Sequence, residues 1–492
     1  MLLLQPRPYQ GGWLMARINT NVGAVIAQRH LDQSYRTLNG TLERLSTGLR
    51  INHGKDDPAG LIVSERLRSE TGAVAQAISN TQRASLIIST TEGALDEVAA
   101  LLRDIQQLTV ESANKGALSE EEIKANQLQV DSAIASIERI ANSTTFAGRH
   151  LLNGSLDYIT SGVVPGDIDA LAVHGALFGT RDYIPIEVQV IQSAQFAQLV
   201  YDGGTLSQDV TIEIQGNAGA TTLSFAAGTS APKIAEAINQ ISDATGVSAI
   251  PLSNPGDGFT LKSAHLGSKN FVSVQLLPGS GAFALEDLSG APVGTGRAYG
   301  RDATANINGA QSIGDGNKLT LKTSTLDIEL SLADTFGTGT TAFTITDGGA
   351  LFQIGAHINS NLQVNIGVQS VAPSRLGNGA IGYLSQIVTG EQYSLVSGKS
   401  AQASQIIDEA IAQVSVIRGR LGAFEKNTLQ TTMNQLGITQ ENLMSAESAI
   451  RDADFAYETS ELTRNQVLVN SGTTALQLAN QTPQMVLKLL GG

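Results

Sequence analysis

Apolar residues recur along this chain with two different periods. Leu31, Tyr35, Leu38, Leu42, Leu45 and Leu49 stand alternately four and three residues apart, the seam of a helix that packs on another helix. Ile18, Val22 and Val25 carry the same steps toward the N-terminus. The stretch RLSTGLRINHGKDDPAGLIVSERL, Arg44 to Leu67, then breaks the pattern with Gly48, Gly54, Pro58 and Gly60. Two glycines and a proline inside one continuous helix would cost about 5 kcal/mol, so one helix ends here and another begins. The pattern resumes at Ile88, Leu95, Val98, Leu102 and Ile105. Ser119 and Glu122 fit a capping box that opens a third helix, with Ile123, Gln127, Val130, Ile134, Ile137 and Ala141 as its seam.

The C-terminal quarter mirrors this organisation. Ile407, Val414, Leu421 and Thr428 repeat every seven residues, with Ile411, Ile417 and Phe424 between them. Leu436, Leu443, Ile450 and Tyr457 form a second set, and Leu462, Val469 and Leu476 a third. Between the two helical ends the period drops to two. Ile186, Val188 and Val190 alternate with polar neighbours, as do Val210, Ile212 and Ile214, and Leu326, Ile328, Leu330 and Leu332. Half-buried strands joined by Gly-rich turns are expected there, with one short helix after Pro232 that places Ile234, Ile238 and Ile241 on one face. The fold class predicted is mainly α, a coiled coil or helical bundle made from the two termini, with an inserted β-rich (α+β) central domain over 155–350. Neither end can bury its stripe alone, so the two must meet.

Length and charge narrow the function. A chain of 492 residues exceeds one core and predicts two to four domains. Its formal net charge of -14 argues against general affinity for nucleic acid or an anionic membrane. The absence of cysteine removes disulfides, thiolate metal sites and cysteine nucleophiles. No apolar run reaches the ~20 residues needed to span a bilayer. MLLLQPRPYQGGWL lacks the h-region and cleavage site of a signal peptide, and a patterned helix follows it at once. Met15 is therefore the expected start, with residues 1–14 a start-site artefact or disordered tail.

The ends carry little charge. From Thr463 to Gly492 the charged residues are Arg464 and Lys488, and from Ala16 to Leu42 they are Arg17, Arg29, Asp32 and Arg36. A solvated helix hairpin ordinarily carries more on its outer face. Surfaces this rich in amides and small residues suit packing against further copies of the same chain. Five seam residues are worth on the order of 10 kcal/mol when buried, and chain entropy opposes them with a similar sum. The terminal segments are expected to be largely disordered in the monomer and to fold on assembly. Leu31, Tyr35, Leu38, Leu42, Leu45, Leu462, Val469 and Leu476 are the expected subunit-packing residues. In the broken stretch, Arg44, Arg50, Lys55, Asp56 and Asp57 suit polar contact between neighbouring subunits.

Catalytic patterns fail on inspection. GLRINHGKDD places five residues, not four, between its glycines, and Asp56 follows Lys55 where a phosphate loop needs Ser or Thr. No two of the six histidines, His30, His53, His150, His174, His265 and His357, stand close enough for a paired-histidine zinc motif. Asp452 and Asp454 in RDADFA lack the rest of a calcium loop and are expected to pair with neighbouring cations. No cofactor and no metal is expected.

MARINTNVGAVIAQRHL, RLSTGLRINHGKDDPAGLIVSERL and QQLTVESANKG resemble the N-terminal region of bacterial flagellin. AESAIRDADFAYETSELTRNQVLVNSGTTALQLANQTPQMVLKLL resembles its C-terminal region, and together the likeness spans Met15–Gly154 and Gln353–Leu490. The central segment resembles the repeat, about 184–275, that is named for an Ile-Asn pair, here Ile238 and Asn239; FQIGAH resembles the segment that returns the chain to its helical domain. The resemblance implies a filament subunit exported unfolded through the flagellar type III apparatus, without a cleaved signal peptide, and polymerised outside the cell beneath a cap. It implies filament-core helices in 15–57 and 441–492, a helical wall domain from 58–154 and 351–440, and an outward-facing insert. Implied partners are the chain itself, hook-associated and cap proteins, and an export chaperone that binds Leu476, Leu478, Val486, Leu487, Leu489 and Leu490. It also implies weak recognition by the animal innate receptor, because Asp104 stands where recognised flagellins carry Arg. The rival readings are a hook–filament junction protein, which shares the Ile-Asn repeat, and a coiled-coil surface adhesin, which the missing secretion signal disfavours. An enzyme displayed on the filament fails for want of a catalytic constellation.

Overall fold

The computed structural model of the chain describes residues 20–179, 181–252, 258–287, 290–293, 296–379 and 381–490, with backbone alone over 486–490. Residues 1–14, the expected start at Met15, and the side chains of Val486, Leu487, Leu489 and Leu490 lie outside these. The described residues form two compact units, one from those up to 78 together with those from 434 onward, and one from those within 79–433.

The first unit contains α1 (Val22–Thr47), the opening turns of α2 (Pro58–Ser112), most of α7 (Gln430–Arg451) and α8 (Phe455–Leu490). The expected break is real. Gly48 takes φ 73°, a left-handed conformation open to glycine, and donates its N–H to the Arg44 carbonyl at 2.9 Å, closing α1. Pro58 then starts α2, where its missing N–H costs nothing.

The second unit holds three cores. In the helical one, Ile88, Leu95, Val98, Leu102 and Ile105 of α2 are buried against Val130, Ile134, Ile137 and Ala141 of α3 (Glu120–Ser143) and against α6 (Ser400–Phe424). The Ser119–Glu122 capping box opens α3 as its sequence predicts. The polar seam residue Gln127 is buried because its amide is fully used. Its Nε2 donates to the Ile387 carbonyl and to Asp131 Oδ1, and its Oε1 accepts from the Leu395 N–H. One seam position differs from expectation. Ile407, Val414 and Leu421 are buried, but the next core residue is Leu429, not Thr428. A π-turn over Glu425–Leu429 adds one residue to the helical path and turns the seam by one position.

The two other cores lie within the expected β-rich segment. One is formed where the antiparallel strands Tyr158–Ser161, Gly339–Gly348, Ile184–Gln192, Thr304–Ile307 and Ala310–Gln311 share a hydrophobic cluster with Ile168–Ala176, Leu326–Leu332 and Lys318–Lys322, whose sheet ends on the edge strand Ile313–Asp315. The other packs α4 (Ala231–Gln240) with strands between Phe196 and Tyr299, followed in sequence by a single turn, α5 (Ser242–Thr245). The alternating Ile186, Val188 and Val190 face the first core and Val210, Ile212 and Ile214 the second, all buried. The Ile-Asn pair has a physical rationale here. Ile238 is fully buried, while Asn239 acts as a peptide group turned sideways. Its Oδ1 accepts the Ala249 N–H at 2.7 Å, and its Nδ2 donates to the Ala249 carbonyl at 2.9 Å. Both backbone groups of an edge residue are thereby satisfied by one side chain.

Candidate functional site

Helices α1 and α8 pair along their length and bring the two ends of the chain together. At the tip, Asn21 caps α1 by accepting the Ala24 N–H at 3.0 Å, and its Nδ2 donates to the Ala479 carbonyl at 2.8 Å. Gly472 lets the helices close up, since a Cβ there would meet Leu31 Cδ1 at 3.1 Å. Leu31 and Val469 are buried; Leu38, Leu45, Leu462 and Leu476 are half-buried. Tyr35 and Leu42 are not in this seam. They are 44% and 46% exposed, and Ser34 and Thr41 take the inner positions instead. The leucine spacing drew Tyr35 and Leu42 to notice because they are apolar; the helices meet on a face turned toward smaller, more polar residues.

That face carries a buried polar layer. Thr41 is fully buried, Asn465 is 3% exposed and Glu458 4%. Arg44 Nε donates to Glu458 Oε1 at 2.7 Å, Arg44 also reaches Thr41 Oγ1, and Asn465 Nδ2 donates to the same hydroxyl at 3.3 Å. Glu458 Oε2 is buried with no donor among the described residues. Sequence reasoning missed this layer. The signal is present, for Glu458 and Asn465 stand seven apart and in step with Val469 and Leu476.

The other missed feature joins the two helix breaks. Arg50 donates its N–H to the Arg451 carbonyl at 2.7 Å, and Ala453 donates to the Gly48 carbonyl at 2.9 Å, so the α1–α2 connector and the α7–α8 junction form a short antiparallel bridge. Arg50 also donates to the Ile450 carbonyl, and Arg451 pairs with Glu65 at 2.8 Å. Asp57 Oδ1 accepts the Gly60 N–H at 2.8 Å, capping α2. Asp56 accepts the N–H groups of Asn52 and His53; the His53 amide foremost holds its carboxyl below the usual range. Lys55 is exposed. Four of the five charged connector residues thus engage groups of their own chain, and Lys55 faces solvent.

Asp452 and Asp454 differ from expectation. Neither forms an ion pair among the described residues. Asp454 Oδ1 caps α8 by accepting the N–H groups of Ala456 and Tyr457, and Asp452 accepts from Ser448 Oγ. Helix starts need acceptors, and an aspartate placed there serves as one. Leu478 is exposed, as is Asp104 on α2. Among the described residues no cluster of His, Asp and Glu is arranged to hold a metal, and no helix is long and apolar enough to cross a membrane.

Residues 18–157 match the family model of the bacterial flagellin N-terminal helical region, and 404–490 that of the bacterial flagellin C-terminal helical region. Residues 211–262 match the flagellin hook IN motif. The chain is similar to Flagellin A of Helicobacter pylori, 28% identical over 96% of this chain and 99% of that one. It is also similar to B-type flagellin of Pseudomonas aeruginosa, 29% identical over the same shares. Among solved structures it is similar to the flagellar hook associated protein-3 of Legionella pneumophila, at 12% identity and a TM-score of 0.30 over 78% of this chain and 98% of that one.

Proposed function

The chain belongs to the bacterial flagellin family and is a structural subunit of the extracellular flagellar filament, and from that premise we propose that the α1–α8 hairpin is the element through which successive copies join. The observation that carries this is the outer surface of the hairpin. Tyr35 and Leu42 on α1 and Val467 and Leu468 on α8 are exposed, as are Val22, Val25 and Ile26 on α1 and Phe455, Tyr457 and Leu478 on α8. A patch of this kind on a helix pair is covered when identical chains stack, and a heterologous contact that does not close gives a fibre. Residues 15–57 and 441–492 then form the filament core, 58–154 and 351–440 its wall, and 155–350 the outward-facing insert.

The same reading assigns the chain no catalysis. It takes the chain out through the flagellar type III apparatus without a cleaved signal peptide, with the C-terminal stripe from Leu476 and Leu478 to Leu490 held by an export chaperone beforehand. Cap and hook-associated proteins bound the polymer. Exposed Asp104 reverses the charge that the innate receptor reads in other flagellins, so purified monomer is expected to activate that receptor weakly and Asp104→Arg to strengthen the response.

Negative-stain imaging of cells lacking this gene tests the main reading. Intact hooks without filaments are expected. Short filaments shed into the medium would instead mark a junction protein. A chain trimmed of residues 15–42 and 463–492 that still polymerised into normal fibres would refute the role given to the hairpin.

A further inference from the structure

The face that α1 presents to α8 is the less apolar of two available. Leu31, Ser34, Leu38, Thr41 and Leu45 point inward, while Tyr35 and Leu42 stay out. Successive helical residues are about 100° apart, so turning α1 by about 50° on its axis would exchange Ser34 and Thr41 for Tyr35 and Leu42 and bury more apolar surface. Burial of apolar area alone therefore selects the wrong face. The hydrogen bonds lie on the side that is chosen. Arg44 meets Glu458, Thr41 meets Asn465, and Asn21 meets the Ala479 carbonyl.

We infer that the buried layer of Thr41, Arg44, Glu458 and Asn465 sets the rotation of α1 against α8, holding the hairpin on its weaker apolar face and keeping Tyr35 and Leu42 for contact outside the hairpin. Rotation would carry Arg44 and Thr41 out of the seam and leave Glu458 and Asn465 buried without partners. A lone buried carboxylate is among the costliest groups a fold can hold. The bridge between Gly48–Arg50 and Arg451–Ala453 fixes how far the helices slide along one another, but a rotation about the axis of α1 is left for side chains to decide. These residues are positioning residues, acting through where they aim the neighbouring stripe.

The native chain lacks cysteine, so introduced pairs report the rotation without background. Leu31 lies against Gly472 and Thr41 bonds to Asn465; counting three residues on from Leu31 and three back from Gly472 places Ser34 opposite Val469. Full-length Ser34→Cys/Val469→Cys is expected to close an intrachain disulfide about tenfold faster than Tyr35→Cys/Val469→Cys, because disulfides demand close, aligned Cβ atoms. The ratio of the two rates cancels the fraction of time the hairpin spends open. Adding Arg44→Leu with Glu458→Leu should bring that ratio down to about threefold or below, and the swap Arg44→Glu with Glu458→Arg should restore it. Equal rates in the otherwise native chain, or a ratio unmoved by the leucine pair, would overturn the inference. That a second copy covers the outward stripe rests on the filament reading and is tested apart from it, by interchain cross-linking of Tyr35→Cys in assembled polymer. Loss of those cross-links with the Ser34 preference intact would sink the occupant and leave the rotation standing.

Discussion

Removing the Asn239 side chain should unravel the edge of the α4 core. Asn239 Oδ1 and Nδ2 hold the N–H and carbonyl of Ala249, and among the described residues neither backbone group has another hydrogen-bond partner on that side of the strand Val247–Pro251. Asn239→Ala deletes two hydrogen bonds, each worth about 0.5–1.5 kcal/mol net, and leaves both backbone groups of buried Ala249 without partners, so about 2–4 kcal/mol is lost. At 1.4 kcal/mol per factor of ten, that opens the Val247–Pro251 strand to amide exchange about 30- to 700-fold faster. Hydrogen-exchange mass spectrometry of the full chain reads this directly, with peptides of the α2–α3 core as an internal reference that should not move. Asn239→Asp adds a test of the geometry. Its protonated carboxyl can donate to the Ala249 carbonyl, and its carboxylate cannot, so folding raises its pKa. Its stabilisation is then complete below about pH 4 and disappears as pH rises through the raised value. Exchange in Asn239→Ala that stays within threefold of the native chain would refute the account of this residue.

Three further outcomes follow from particular contacts. Leu429→Ala should cost about 2–5 kcal/mol and Thr428→Ala under about 1 kcal/mol in denaturant titration, because the π-turn puts Leu429 in the core; equal costs would count against that register. Gly60→Ala gains about 1 kcal/mol of helix propensity, but the new methyl collides with the Asp57 carboxylate and stands 2.8 Å from Ile51 Cδ1. Losing the Asp57 cap costs about 1–2 kcal/mol, so thermal unfolding should show net destabilisation despite the better helix former. Burial pushes the Asp157 carboxyl up to about 6, against the opposing pull of the Tyr158 amide and the Arg375 charge. The native chain is thus favoured below the ordinary carboxylate range and loses that advantage as pH rises through about 6. Asp157→Asn should then be more stable at pH 8 by about 1–2 kcal/mol, a figure reduced for the group's partial exposure, with the difference vanishing only below about pH 3.

Much of the fold was legible because burial leaves a periodic trace. The seam of α3, the core leucines and isoleucines of α2 and the alternating strands all appear as spacings in the sequence, since each element must turn one face to a core. The break at Gly48 and Pro58 was legible for a local reason, the backbone conformations those residues permit. The composition of the ends also pointed to self-association before any contact was known.

Tertiary structure decided what periodicity cannot register. A π-turn moves the seam by one residue, and no hydropathy pattern distinguishes Thr428 from Leu429 as the next inward position until the packing around them exists. The pairing of the two helix breaks joins segments some four hundred residues apart through backbone groups that every residue carries, so side-chain identity gives no hint of it. The rotation of α1 depends on Glu458 finding Arg44, a contact across the whole length of the chain. Apolar spacing encodes which residues avoid water, whereas hydrogen bonds between distant partners encode which of two acceptable faces is used, and that choice exists only once both partners are in place.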